Sequence, residues 1–139
     1  MGSGISEIVI PASVKIIKGS VFANCKNLKK VVFEGDRLDK LSGCFQRCTA
    51  LQSIELPRYV GAVSEEMFFG CTNLTNVKLP ENLKELPNDT CRDCAKLTTV
   101  TIPASVTKMG SEVFDGCGVV SLDLSHVIKC RMNHFFIFR

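Results

Sequence analysis

Apolar residues in this chain recur on two scales. Over a few residues they alternate with period two, as in Ser53-Ile54-Glu55-Leu56 and Asn76-Val77-Lys78-Leu79, which predicts strands that bury one face. A Val-x-x-Ile step such as Val14 to Ile17 follows each strand, and then a Phe-x-x-Cys-x-x-Leu segment such as Phe22, Cys25 and Leu28. On the longer scale the whole pattern returns every 23 residues: Cys25, Cys48, Cys71, Cys94 and Cys117 share one register. So do Phe22, Phe45, Phe68 and Phe114, with Cys91 in the remaining place, and Leu28, Leu51, Leu74 and Leu97.

A fixed interval of this length predicts a solenoid, because each coil must set the same side chain over its counterpart in the next. Pro11, Pro57, Pro80 and Pro103 end the strands, since proline lacks the amide hydrogen a ladder needs; Glu34 takes that place in the second coil. Stacking such coils predicts a parallel sheet on the concave face, with strands about 4.8 Å apart, and short helical or irregular turns on the other side. Ser20 to Cys25 has apolar spacing suited to about one turn of helix. Five full coils are expected over 5–27, 28–50, 51–73, 74–96 and 97–118, with a partial coil over 119–139, all within one domain. In the second coil Leu38 and Leu41 lie one residue late, which predicts a bulge near Glu34-Gly35-Asp36.

Composition narrows the function. No apolar run is long enough to span a bilayer, and no basic start leads into an apolar stretch. Membrane insertion and a signal peptide are therefore not expected. The net charge of +3 is too small to argue for nucleic acid, and the lysines at 15, 18, 26, 29 and 30 lack interleaved aromatics. His126 and His134 have no ligand-like spacing to carboxylates, and no phosphate-cradling loop or nucleophile motif is present. Neither an enzyme nor a cofactor is expected.

The ladder cysteines read as small buried hydrophobes with free thiols. Cys91-Arg92-Asp93-Cys94 is formally a C-x-x-C, which leaves open a thiol or metal module if those side chains are exposed. Met1-Gly2-Ser3-Gly4-Ile5-Ser6 fits a myristoylation pattern and equally an expression scar; Asn73 and Asn88 stand in glycosylation sequons.

Ile8-Val9-Ile10-Pro11-Ala12-Ser13-Val14, its near-copy Val100-Thr101-Ile102-Pro103-Ala104-Ser105-Val106, and Val113-Phe114-Asp115-Gly116-Cys117 resemble the BspA-like class of leucine-rich repeats. The resemblance runs from about Ile5 to Ile128. It implies a non-enzymatic binding module, a protein or peptide partner such as a host-matrix or cell-surface protein, and a location at the cell surface or outside the cell. An intracellular scaffold in the cytoplasm is the alternative. Solvent-facing strand residues are the expected contact row: Val9, Val32, Glu55, Lys78, Thr101 and Asp123, flanked by Glu7, Lys30, Ser53, Asn76, Thr99 and Ser121. Charges of both signs along that row favour a protein or peptide over a polyanion. The strand-like start at Ile8 has no polar cap before it, and the closing Phe135 to Phe138 run leaves two readings, a private cap over the last coil or a sticky end that pairs with a second molecule or with missing repeats.

Overall fold

The computed structural model describes residues 4–119, 125 and 127–130. The expectations for Ser121, Asp123, the two histidines, Gly2 and the Phe135 to Phe138 run lie outside the described residues.

The predicted strands form in register. β1 (Glu7–Ile10) pairs in parallel with β3 (Lys30–Phe33), Ile8 opposite Val31. β6 (Ser53–Glu55), β8 (Asn76–Lys78) and β10 (Thr99–Val100) form the continuation, with Ile54 opposite Val77 and Val77 opposite Val100. Val31, Ile54 and Val77 are buried while Lys30, Ser53, Glu55, Asn76 and Lys78 beside them face solvent, as period two requires; Val32 is half-buried. These five rungs enclose about four complete turns, slightly fewer than the count of coils in the sequence.

A second row of short parallel strands runs along another side. It comprises β2 (Ile16–Ile17), β4 (Arg37–Leu38), β5 (Lys40–Leu41), β7 (Tyr59–Val60), β9 (Glu85–Leu86), β11 (Lys108–Met109) and β12 (Lys129–Cys130). β2 pairs with β5, β4 with β7, and β9 with β11 and then β12. The inward residue of the Val-x-x-Ile step thus sits in a strand only two residues long. β2 meets β5 at an interval of 24, and β4 meets β7 at 22. The extra residue of the second coil is therefore absorbed between Phe33 and Arg37, where a bulge was expected. Gly35 sits there because a Cβ at that position would lie 3.0 Å from the Ala12 Cα of the coil before.

The third side is built from turns. The expected helical turn at Ser20 to Cys25 is instead a run of three-residue hydrogen bonds, Ala23 to Ser20 and Cys25 to Phe22. Left-handed residues bracket it and stop helix propagation: Ser20, Gly43, Glu66, Asp89 and Glu112 in one column, Asn24, Arg47, Gly70, Asp93 and Gly116 in another. In the second column the amides of Asn24, Arg47, Gly70 and Asp93 donate to carbonyls of Gln46, Phe69, Arg92 and Asp115 in the next coil, at 2.7–2.9 Å. This side therefore has its own inter-coil ladder.

Among the described residues, both strand rows are interrupted once. No ladder joins β3 to β6, so the first row is open between the second and third coils. The second row is open between β7 and β9, where the Asn82 side chain stands in for a strand: its Oδ1 accepts from the Val60 amide and its Nδ2 donates to the Val60 carbonyl, both at 2.9 Å.

The core is a set of columns. Leu28, Leu51, Leu74 and Leu97 are buried, and Phe22, Phe45 and Phe68 stack with centroids 5.6 and 5.9 Å apart. The thiols add something that hydrophobicity alone does not explain. Cys48 donates to the Phe22 carbonyl at 3.0 Å, Cys71 to Phe45 at 2.9 Å, Cys94 to Phe68 at 3.1 Å and Cys117 to Cys91 at 2.8 Å. Each thiol fills space and gives a second donor to a carbonyl that already accepts the amide three residues on, a contact that alanine or valine cannot provide. Cys71→Ala is therefore expected to cost about 1–3 kcal/mol, because it removes packing and the shorter of the two hydrogen bonds to the Phe45 carbonyl, leaving only that from the Cys48 amide at 3.3 Å. Cys71→Ser, which keeps a donor, is expected to lose less. Urea titration of both variants checks this; equal losses would reduce the thiol to a space-filler.

Candidate functional site

The outward positions of the first strand row form the candidate surface. Register places Val9 beside Val32, Glu55 beside Lys78, Glu7 beside Lys30, and Ser53, Asn76 and Thr99 in one line. Val9, Glu55, Lys78, Thr101, Glu7, Lys30, Ser53, Asn76 and Thr99 are exposed, and Val32 is half-buried. Lys78 Nζ and Glu55 Oε2 are 3.5 Å apart with both side chains largely in water, so the pair contributes only about 0–1 kcal/mol and is available to a partner.

The row is not uniform. Where β3 and β6 fail to pair, a groove of about 360 Å³ opens, lined by Val32, Phe33, Asp36, Glu55, Pro57 and Arg58. The sequence reading included Val32 and Glu55 but missed the groove and its acidic and basic walls. The signal was present in Glu34, which replaces the strand-ending proline, and in the late Leu38. Arg58 forms a further inter-coil contact, donating from Nε to Glu81 at 3.0 Å while its guanidinium lies 5.5 Å from the Tyr59 ring centre.

The turn side carries a different cluster. Arg47 and Arg92 approach the Phe69 ring at 5.0 and 6.0 Å, and Arg92 also meets Glu112 at 2.9 Å and Asp89 at 3.7 Å. All but the Asp89 contact, which lies within one coil, bind successive coils to one another.

Cys91 and Cys94 are buried, at 2% and 0% exposure, so the condition set for a thiol module is not met. Burial pushes the Cys44 and Cys48 thiols up to about 11 and Cys71 to about 12, far from the thiolate that reactivity requires. For Cys94 a hydrogen bond with Cys117 pulls down, but a hydrogen bond with Cys91 and burial outweigh it and the net direction is up. Among the described residues, no group of three or more His, Cys, Asp or Glu side chains is arranged to hold a metal ion.

Both sequon asparagines already have structural work. Asn73 Nδ2 donates to the Thr49 carbonyl at 2.6 Å, while Asn88 accepts from the Ser111 amide at 2.7 Å and donates to Glu65 at 3.0 Å. A glycan on either amide would compete with inter-coil bonds.

A family model described as BspA type leucine rich repeat region matches residues 1–120 in six copies. The chain belongs to the BspA-type leucine-rich-repeat family. Two solved structures share this repeat fold. One is a leucine-rich repeat protein from Eubacterium ventriosum ATCC 27560, 24% identical with a TM-score of 0.65 over 86% of this chain and 34% of that one. The other is the T. pallidum leucine rich repeat protein TpLRR, 22% identical with a TM-score of 0.60 over 81% of this chain and 64% of that one. The chain thus spans about a third of the first protein and under two thirds of the second. No curated protein matches it. The BspA-type assignment fixes the repeat unit and the solenoid; no helix among the described residues is long and apolar enough to cross a membrane.

Proposed function

We propose that this BspA-type repeat chain is a non-enzymatic protein-binding module that acts in adhesion at the cell surface. Its contact row is the outward face of the first strand row: Val9, Val32, Glu55, Lys78 and Thr101, flanked by Lys30, Ser53, Asn76 and Thr99, with Asp123 and Ser121 continuing the row in sequence. The observation that carries this reading is the register itself. Side chains of one row project at fixed intervals from paired strands, so an extended partner meets them with little ordering cost on this side. The row runs from apolar through charges of both signs to an acidic end along the axis, which suits a folded protein or peptide better than a polyanion. The groove at the β3–β6 break gives one side chain of such a partner a place to enter.

Peptides selected from a random display library on the immobilised chain provide the test, read against the exchange variant Glu55→Lys/Lys78→Glu. The exchange keeps an ion pair in place and reverses the charge order. Selected peptides are expected to lose tenfold or more in affinity, roughly the 1.4 kcal/mol that one well-placed charge contact supplies. Unchanged affinity would move the site off this row. Protease shaving of intact source cells tests the location: loss of the chain supports adhesion, and protection with controls cleaved supports the intracellular scaffold. That second reading draws on the free thiols of seven of the eight cysteines, a state more common in reducing compartments.

A further inference from the structure

The break between β3 and β6 gathers hydrogen-bond acceptors in one groove of the first strand row. At the junction of the first and second coils, the Glu34 amide closes the last rung by donating to the Ile10 carbonyl at 2.9 Å. One repeat on, the same two places hold Pro57 and Phe33, and proline has no amide to give. The Lys30 and Glu34 amides bond toward β1, so alternation turns the Phe33 carbonyl toward β6 and the break. Val32, Phe33 and Pro57 give the groove of about 360 Å³ its apolar walls. Asp36 and Glu55, both exposed, bring carboxylates to it from two different coils.

The cations nearby are directed elsewhere. Arg58, on the same groove, donates to Glu81 of the next coil at 3.0 Å. Glu81 is also the main cause that raises the Arg58 pKa, with Asp36 the smallest contributor. Arg37 turns to Asp39 at 3.5 Å. Lys78 reaches Glu55 from the coil beyond, also at 3.5 Å, in a pair whose two side chains are largely in water. No ion pair engages the Asp36 carboxylate among the described residues. The Phe33 carbonyl, the Asp36 carboxylate and the weakly held Glu55 carboxylate are thus all left to a ligand that donates.

Given the first strand row as the protein-contacting face, on which this assignment rests, we propose that the groove receives an arginine side chain of the partner. Its stem lies along Val32, Phe33 and Pro57, and its guanidinium meets Asp36 and Glu55. Long cationic side chains bury an apolar stem and keep the charge in water, and here apolar walls lie beside exposed carboxylates. A guanidinium has five donors in a planar fork and no acceptor, which suits acceptors held on separate coils. A lysine ammonium is a compact point charge and more strongly hydrated, so it gives up more on entering a groove with apolar walls. A bare metal ion fits poorly, since among the described residues no group of three or more His, Cys, Asp or Glu side chains is arranged to hold one.

Nuclear magnetic resonance of the isotopically labelled whole chain, titrated with N-acetyl-arginine N-methylamide, tests the assignment. Saturable shifts are expected at the Phe33, Gly35 and Glu55 amides, weakening as salt is added. Asp36→Asn, a change at an exposed side chain, is expected to lower affinity about threefold, the effect of one exposed charge pair. The citrulline analogue, of the same shape without the charge, is expected to leave those amides in place. Equal shifts with citrulline, tighter binding of the lysine analogue, unchanged affinity in Asp36→Asn, shifts centred elsewhere or no saturation would each overturn the proposal. The row itself is read separately, from the Glu55→Lys/Lys78→Glu exchange on the display-selected peptides. Peptides that respond to the exchange, yet keep their affinity when arginine is replaced by citrulline, would overturn the arginine assignment and leave the row as the contact face. Peptides that ignore the exchange, while the arginine probe still saturates the groove, would uphold the arginine site and take the peptide off the row.

Discussion

Phe45→Ala is expected to destabilise the chain by about 3–5 kcal/mol, the range for truncating a buried aromatic to a methyl group. Phe45 is fully buried and contacts a ring on each side, Phe22 at 5.6 Å and Phe68 at 5.9 Å with planes within 10° of parallel. Truncation therefore removes two ring contacts and opens a cavity that rigid strand rows on either side hinder from closing. Repeat proteins distribute stability between nearest neighbours, so the loss concentrates at the junctions of the second coil with the first and third. Urea unfolding is expected to shift to a lower midpoint and to separate into two transitions as the amino-terminal coils detach first. Phe22→Ala, at a half-buried ring with one stacking partner, is the internal control. If both variants lose the same amount, stacking within the column is not what stabilises the second coil.

Raising the pH above 9 is the second large perturbation. In the unfolded chain a thiol ionises near 9.0, while burial holds Cys44 and Cys48 neutral to about 11 and Cys71 to about 12 in the folded one. The folded pKa values are raised, so the stability they carry is complete below pH 9 and declines as pH rises through the folded values. Over that window the unfolded chain has lost its protons and the folded chain has not, so each such thiol removes up to about 1.4 kcal/mol per pH unit. Cys117 moves the same way, through its hydrogen bond with Cys94 and then burial. Several thiols acting together approach the whole stability of a small domain, about 5–15 kcal/mol. Urea midpoints measured under reducing conditions are expected to be level from pH 7 to 8.5 and to fall steeply by pH 10. Cys71→Ser should make the fall shallower by one thiol's share. A midpoint unchanged between pH 8 and 10 would mean that the thiols are not buried in solution.

The parts of this fold that were legible in the sequence are those where one residue type recurs in one place. Phe45, Cys48, Leu51 and Ile54 repeat because each occupies a buried slot of fixed shape, and packing tolerates few substitutes. The left-handed column defeats that logic: Asn24, Arg47, Gly70, Asp93 and Gly116 share a backbone conformation but have nothing in common as side chains. Their shared role is an inter-coil amide bond, which any residue able to bear a positive φ can supply. The second strand row was hidden for a related reason. Two-residue strands such as Glu85–Leu86 and Lys108–Met109 are too short to show alternation. The thiol bonds were invisible because their acceptors are main-chain carbonyls. For the candidate surface, alternation placed the outward residues of β1, β6 and β8 on one face. The groove beside β6 depends on a pairing that is missing between β3 and β6, and a sequence pattern does not record an absent bond.

The two interruptions of the strand rows do not coincide. Between the second and third coils the first row is open, but β4 and β7 are paired and Leu41 bridges Val63. Between the third and fourth coils the second row is open, but β6 and β8 are paired. The turn-side ladder crosses both junctions, from Arg47 to Phe69 and from Gly70 to Arg92. The gaps are offset like the joints between courses of brick, so neither of these two junctions is a cleavage plane. Tension along its axis, or a protease seeking an opening between coils, meets intact hydrogen-bonded rows at both junctions, and a crack begun at one gap must turn sideways through the core to reach the other.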